Sequence, residues 1–397
     1  MNVMQVRNVI LAKSKSDDFA GYDPFDGLNS KLFDIFPSFK NNVIGLAWIQ
    51  FFKRSSVNFR PVCSVPKKRN PKGIGLFILG MLEQHQQSNE AELLNLCIEL
   101  ADWLIEQQCD KQQWQHSCWG YHFDWKARAF FVPKGKPNVI TTIYVAQALW
   151  KLADVLEQQD KHKSEQYRNL ALDAGSFIVE TLYTEADNRC FFAYIPGETA
   201  FVHNASLWAA AWVSVVASYT NNQSYRELAL KVARQSVAEQ AADGSWVYGA
   251  RHHHQFIDGF HTGYNLEALH LIRSSLQIDE FDDAIKRGFS YYKENLFEAD
   301  GTAKYYHNDR YPLDPHSVSQ AIITLVKLAQ HESDIRLAEK VIFCAIDTLY
   351  LPEKKQFIYQ KSKRSVNKIN YMRWTQAWMF YSLSFYLNVK GSVNEAH

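Results

Sequence analysis

The sequence predicts an all-α fold, a single-domain (α/α)6 toroid with short β-hairpin-like loops at one mouth. Two observations carry that expectation. A structural period of about 50–60 residues runs through most of the chain, and within each period an amphipathic helix alternates with one that is apolar nearly all round. Composition agrees: 47% of the 397 residues are hydrophobic, enough for one sizeable core. No linker-like stretch divides the chain.

The period is marked by a short turn, an aromatic strand-like segment and then a helix. Asp187-Asn188 leads to Phe192, Asp243-Gly244 to Trp246, Asp300-Gly301 to Tyr305, and Glu353 to Phe357. These markers are spaced 54, 59 and 52 residues apart. A longer version begins at Trp119-Gly120-Tyr121, with Tyr121 placed 71 residues before Phe192.

The amphipathic helices repeat apolar residues at i, i+3/4 and i+7, as in Leu93, Leu96, Cys97, Leu100 and Leu104, and keep one wet face. The others, such as Ile140 to Leu152, Ala205 to Val216 and Val318 to Leu328, have almost no polar face and must be buried on most sides. An outer ring around an inner ring satisfies both patterns. Five inner helices are clear and a sixth, near Asn42 to Phe52, is ambiguous. Residues 1–40 are read as an N-terminal arm or lid on a toroid spanning 1–397.

Lysine plus arginine (43) nearly cancels aspartate plus glutamate (42), leaving +1. That balance argues against nucleic acid as a partner and, taken over the whole chain, gives no argument for a membrane surface. None of the six cysteines forms a C-x-x-C pair, so they do not read as a disulfide framework; Cys97 and Cys344 fall on helical apolar stripes and read as buried thiols. The N-terminus shows no leader-like apolar region, and the run Val43 to Phe52 is shorter than a spanning segment. The expectation is a cytoplasmic protein with no membrane span. The sequence sets no oligomeric state.

In a toroid the loops ahead of the inner helices converge on one mouth, and function belongs there. The first loop holds Trp119, Tyr121, Asp124, Trp125 and Arg128. Aromatic planes stack on the apolar face of a pyranose, and a carboxylate and a guanidinium bind its hydroxyls. Later loops bring His203 with Asn204, Asp258 with His261 and Tyr264, Asp314 with His316, and Arg373 with Trp374. Asn138, Asn204, Asp258 and Asp314 also suit helix N-caps. Capping does not account for a histidine in three successive loops. The run Arg251-His252-His253-His254 lacks the i,i+4 spacing of a zincin and reads as a solvated loop, so no metal is assigned. No nucleotide cradle of the P-loop or G-x-G-x-x-G kind occurs, and no cofactor is assigned. A late basic cluster (Lys354, Lys355, Lys361, Lys363, Arg364, Lys368 and Arg373) reads as a solvated loop or as recognition of an anionic sugar.

Four blocks together resemble the VpsJ-like family: Tyr22 to Ser30, Asn70-Pro71-Lys72-Gly73, Cys118 to Trp125 and Pro137-Asn138-Val139. The resemblance implies a role in bacterial exopolysaccharide or capsule biosynthesis and carries no catalytic assignment. In fold the chain is similar to the six-hairpin toroids of glycosidases, lyases and sugar 2-epimerases, and Asp314-Pro315-His316 is loosely similar to a histidine-bearing loop of the 2-epimerases. The expected ligand is a sugar, oligosaccharide or sugar-nucleotide. Two mechanisms fit the residues. In hydrolysis, Asp124 and Asp258 act as acid and base, with Asp314 in reserve. In epimerisation, His261 and His316 exchange a proton and Arg373 steadies the oxyanion. A non-catalytic glycan-binding scaffold is the rival reading.

Overall fold

The structure, a computed structural model, describes residues 1–35, 37–126 and 131–395. In chain order its principal helices are α1 (Val3–Ser16), α2 (Val43–Arg54), α3 (Pro71–Ser88), α4 (Ala91–Glu106), α5 (Val139–Leu156), α6 (Lys161–Phe177), α7 (His203–Thr220), α8 (Gln223–Ala238), α9 (Gly259–Leu276), α10 (Asp282–Asn295), α11 (Pro315–Lys327), α12 (Glu332–Leu349) and α13 (Ala377–Glu395).

The apolar helices α3, α5, α7, α9, α11 and α13 form the inner ring, each packed on the next, and α13 closes it against α3. Outer helices α4, α6, α8, α10 and α12 each lay an apolar stripe on this ring. In α4 the stripe is Leu93, Leu94, Cys97, Leu100, Ala101 and Leu104. The (α/α)6 toroid is therefore the fold.

The sixth pair is made differently from the sequence expectation. Helix α2 stays out of the ring. The outer partner of α13 is α1, from the segment read as an arm. Val6 and Ile10 of α1 are buried in the main core. The apolar pattern of α2 reflects other duties: Ile49 and Phe52 are buried, and Trp48 Nε1 donates to the Gly27 carbonyl at 3.0 Å.

Four antiparallel hairpins, Trp125–Lys126 with Phe131–Val132, Tyr183–Ala186 with Arg189–Phe192, Tyr350–Leu351 with Gln356–Phe357, and Gln360–Lys361 with Val366–Asn367, all lie on outer-to-inner connections. They share one end of the toroid. The backbone also corrects the repeat register. Ala193 N donates to Leu182 O (2.8 Å), Lys304 N to Leu296 O (2.9 Å) and Ile358 N to Leu349 O (2.9 Å). These bonds align Phe192, Ala303 and Phe357, so the third marker is Ala303. A small residue broke the aromatic signal there.

Of the described helices, α5 alone is long and apolar enough to cross a membrane by length and composition. It is an inner helix, and 72% of that window is buried.

Between α1 and α2 the chain crosses the mouth and is pinned by a buried ion pair. Arg60 Nε donates to Asp26 Oδ1 at 2.5 Å, Nη1 to Tyr371 Oη at 2.9 Å and Nη2 to the Asp23 carbonyl at 2.7 Å. The side chains of Arg60 and Asp26 are 0% and 1% exposed. Removing one partner of such a pair strands a buried charge, which costs about 3–5 kcal/mol. Arg60→Ala should lower stability by that amount in urea unfolding. A loss below about 1 kcal/mol would contradict the pinning role.

Candidate active site

The inner helices point their N-termini at the hairpin end, around a cavity of about 460 Å³. Local chemistry builds its wall. The first N–H of α5 donates to Tyr194 O (2.9 Å), that of α7 to Tyr248 O (3.2 Å) and that of α9 to Tyr305 O (2.8 Å). An unpaired helix-end donor is thus satisfied by the tyrosine of the following repeat. Tyr194, Tyr248 and Tyr305 all line the cavity, and Tyr121 Oη joins Tyr194 Oη at 2.7 Å. Helix α11 begins with Pro315, which has no N–H to give; Tyr359, the matching tyrosine, is not part of the lining.

Asp258 caps α9 by accepting from His261 N (2.8 Å), and its other oxygen meets His261 Nδ1 at 2.6 Å. The capping carboxylate therefore also orients the imidazole and leaves Nε2 as the exchangeable nitrogen. Phe260 lies against both His261 (centroids 3.9 Å) and His316 (4.8 Å). His316 is also stacked on Trp378 at 4.6 Å and meets the edge of Trp374 at 4.6 Å. Neither His316 nitrogen has a hydrogen-bond partner among the described residues. Burial, reinforced by Lys72, Arg373 and His261, pushes its pKa well below the usual histidine range, so it is neutral at pH 7.

Lys72, at the start of α3, is 3% exposed. Its Nζ donates to Tyr264 Oη at 3.3 Å and lies 4.9 Å from the Tyr144 ring and 5.1 Å from that of Trp378. Burial first, then Arg373, lowers its pKa well below the usual lysine range. Arg373 sits in a wide π turn, Met372–Gln376, ahead of α13. Asp23 holds it through Nε (2.5 Å) and Nη2 (2.8 Å), and its guanidinium lies 5.1 Å from the Tyr121 ring.

Tyr121, Trp125, Asn204, His261, Tyr264, His316, Arg373 and Trp374 thus line one cavity. Asn204 is the second residue of α7 and no cap, and its Oδ1 has no partner among the described residues. Other expected residues stand elsewhere. Asp124 lies outside the lining, where it accepts from Lys40 Nζ (2.8 Å) and Lys134 N (2.7 Å) and anchors the N-terminal segment. Trp119 is a core residue donating to Leu104 O at 2.7 Å. Asn138 is a buried cap that accepts from Thr141 N. His203 is buried behind the lining against Phe201. Asp314 accepts from His316 N, Gln360 Nε2 and Trp374 Nε1, so it positions the Trp374 indole; burial pushes its pKa up to about 6. Arg128 lies outside the described residues. His253 and His254 line the cavity, where a solvated loop was expected.

The sequence reading missed Lys72, Lys53, Glu198 and Phe25 as lining residues. Lys72 stood in a block noticed only for its resemblance, and Lys53 ends an apolar helix whose destination no local pattern reveals. Glu198 is the lining carboxylate, and its Oε1 already accepts from Thr199 N, Ala200 N and Arg251. No pair of carboxylates lines the cavity among the described residues.

No family model and no curated protein matches the sequence, so the VpsJ-like resemblance finds no support there. Solved structures match the fold. A cellobiose 2-epimerase from Bacillus thermoamylovorans superposes with a TM-score of 0.60 at 10% identity, over 82% of this chain and 90% of that one. An unsaturated glucuronyl hydrolase from Bacillus sp. GL1 gives 0.59 at 13% identity, over 86% and 90%. The Lin0763 protein from Listeria innocua gives 0.63 at 10% identity, over 100% and 99%. The fold is thus one that carbohydrate-processing enzymes share, and at these identities the likeness concerns fold alone.

Burial has a consequence for stability. His203 takes up a proton near pH 4 in the folded chain, against 6.5 for the free side chain, because burial penalises its charged form. Between those values the unfolded chain holds more protons, so stability falls as pH drops, at up to ~1.4 kcal/mol per pH unit for one such group. His203→Gln should flatten the dependence of the urea midpoint on pH between those limits. An unchanged slope would remove His203 as its source.

Proposed function

We propose that this protein is a carbohydrate-active enzyme that moves a proton at a carbon next to a sugar carbonyl, as in epimerisation. The observation that carries the reading is the pair of imidazoles packed on Phe260, one held by Asp258 and one neutral with neither nitrogen partnered among the described residues. His316 is the base that removes the proton. His261, with Asp258 accepting from Nδ1, returns one from Nε2. Arg373 supplies positive charge for the enolate oxygen and Lys72 a hydrogen-bond donor, and the tyrosine and tryptophan planes hold the sugar. Hydrolysis by paired aspartates is the weaker reading, because Asp124 is tied to Lys40 and Asp258 to His261. The setting in assembly of a bacterial surface polysaccharide rests on the sequence blocks.

The test is incubation with reducing sugars, uronates and nucleotide-sugars in deuterated buffer, followed by NMR. Deuterium should enter next to the carbonyl, and His316→Gln and His261→Asn should each slow that exchange by roughly 10²-fold or more while thermal shift still reports binding. Wild-type exchange in His316→Gln would sink the assignment. New reducing ends without exchange would point to hydrolysis, and binding without either to a glycan-binding scaffold.

A further inference from the structure

Thirteen large apolar side chains are exposed among the described residues, and eight of them fall between residues 32 and 62. Helix α2 supplies the core of this patch. Its inner face is sealed by Ile49, Phe52 and the Trp48 bond to Gly27, whereas Val43, Ile44 and Phe51 are 80%, 49% and 49% exposed on the other side. Val43, Ala47 and Phe51 are spaced i, i+4, i+8, which makes one stripe, and Arg54 continues it. The loop after α2 adds Val57 and Val62, at 58% and 84%. A patch of this kind marks an interaction surface.

The surrounding charge is predominantly of one sign. Leaving aside the buried, paired Arg60 and Arg373, residues 27–69 carry seven lysines and arginines and one acid, and residues 354–374 carry six and none. These two segments meet: Asn367 Nδ2 donates to the Ser55 carbonyl at 2.9 Å, which brings the tip of the last hairpin against the end of α2. Exposed Lys363, Arg364, Val366 and Lys368 lie at that tip. The overall charge of +1 hides this local concentration.

We propose that this face docks on the surface of an anionic lipid bilayer. Bare apolar side chains ringed by cations match shallow insertion among acidic headgroups. A symmetric pairing with a second copy fits poorly, because it would lay one cationic rim against another. Lys53 of α2 and Phe25 beneath it also line the cavity, so docking sets the mouth of the toroid at the bilayer surface.

Flotation of the full chain with vesicles tests it. The protein should float with vesicles containing phosphatidylglycerol, stay behind with phosphatidylcholine alone, and be released as salt is raised. Ile44→Ser with Phe51→Ser, and separately Lys363→Glu with Arg364→Glu, should each weaken flotation about tenfold. Phe343→Ser, an exposed apolar residue on α12, should leave it unchanged, and melting curves should report intact folding in all three. Failure to float with either vesicle type overturns the proposal. So does equal binding by wild type and both double variants. A dimer in sedimentation that Ile44→Ser with Phe51→Ser dissolves, without vesicle binding, would assign the patch to a second copy and overturn it as well.

Discussion

A ring of helices has to be closed, and here the closure joins the two ends of the chain. α13 enters the inner ring at the C-terminal end, and its outer partner is α1 from the N-terminal end. The linkage is chemical as well as steric. Asp23 grips Arg373 with both carboxylate oxygens, and Asp26 grips Arg60, which in turn reaches Tyr371. Gly21 lets the N-terminal segment lie this close, since a Cβ there would stand 2.6 Å from that of Met372. The contact that completes the fold therefore also fixes a cation of the cavity.

That coupling gives the cavity its character. Among the described residues the lining is mainly aromatic and basic, with one carboxylate, Glu198, already committed to two backbone N–H groups and Arg251. Helix N-termini add the positive ends of their dipoles. Burial in such surroundings holds His316 neutral and lowers the pKa of Lys72. Carboxylates near the mouth serve as caps and anchors: Asp258 orients His261, Asp314 orients Trp374, and Asp124 holds Lys40.

The tyrosine wall shows how repetition makes a site. Each repeat places a tyrosine two residues after a buried packing position, as in Trp119 and Tyr121, Phe192 and Tyr194, and Trp246 and Tyr248. The carbonyls of Tyr194, Tyr248 and Tyr305 each meet the N-terminus of the neighbouring inner helix, so backbone hydrogen bonding carries these side chains to the same height in successive repeats. In the sequence Tyr194 and Tyr248 stand two residues beyond the markers Phe192 and Trp246.

The sequence by itself determined the toroid, the mouth that bears the hairpins, and much of the cavity wall. Period and helix character are local properties, and residues just ahead of an inner helix share one end of the ring by geometry. Asn138, Asp258 and Asp314 were legible as caps for the same reason. Tertiary structure alone decided which helix closes the ring, that Lys72 and Lys53 reach the cavity, that Trp119 and His203 do not, and that Asp124 serves the N-terminal segment. Those outcomes depend on partners 84 residues away for Asp124 and 350 for Arg373. Local periodicity fixes which way a helix faces. It carries no information about which distant side chain will share a buried charge, and that pairing sets both the closure and the chemistry here.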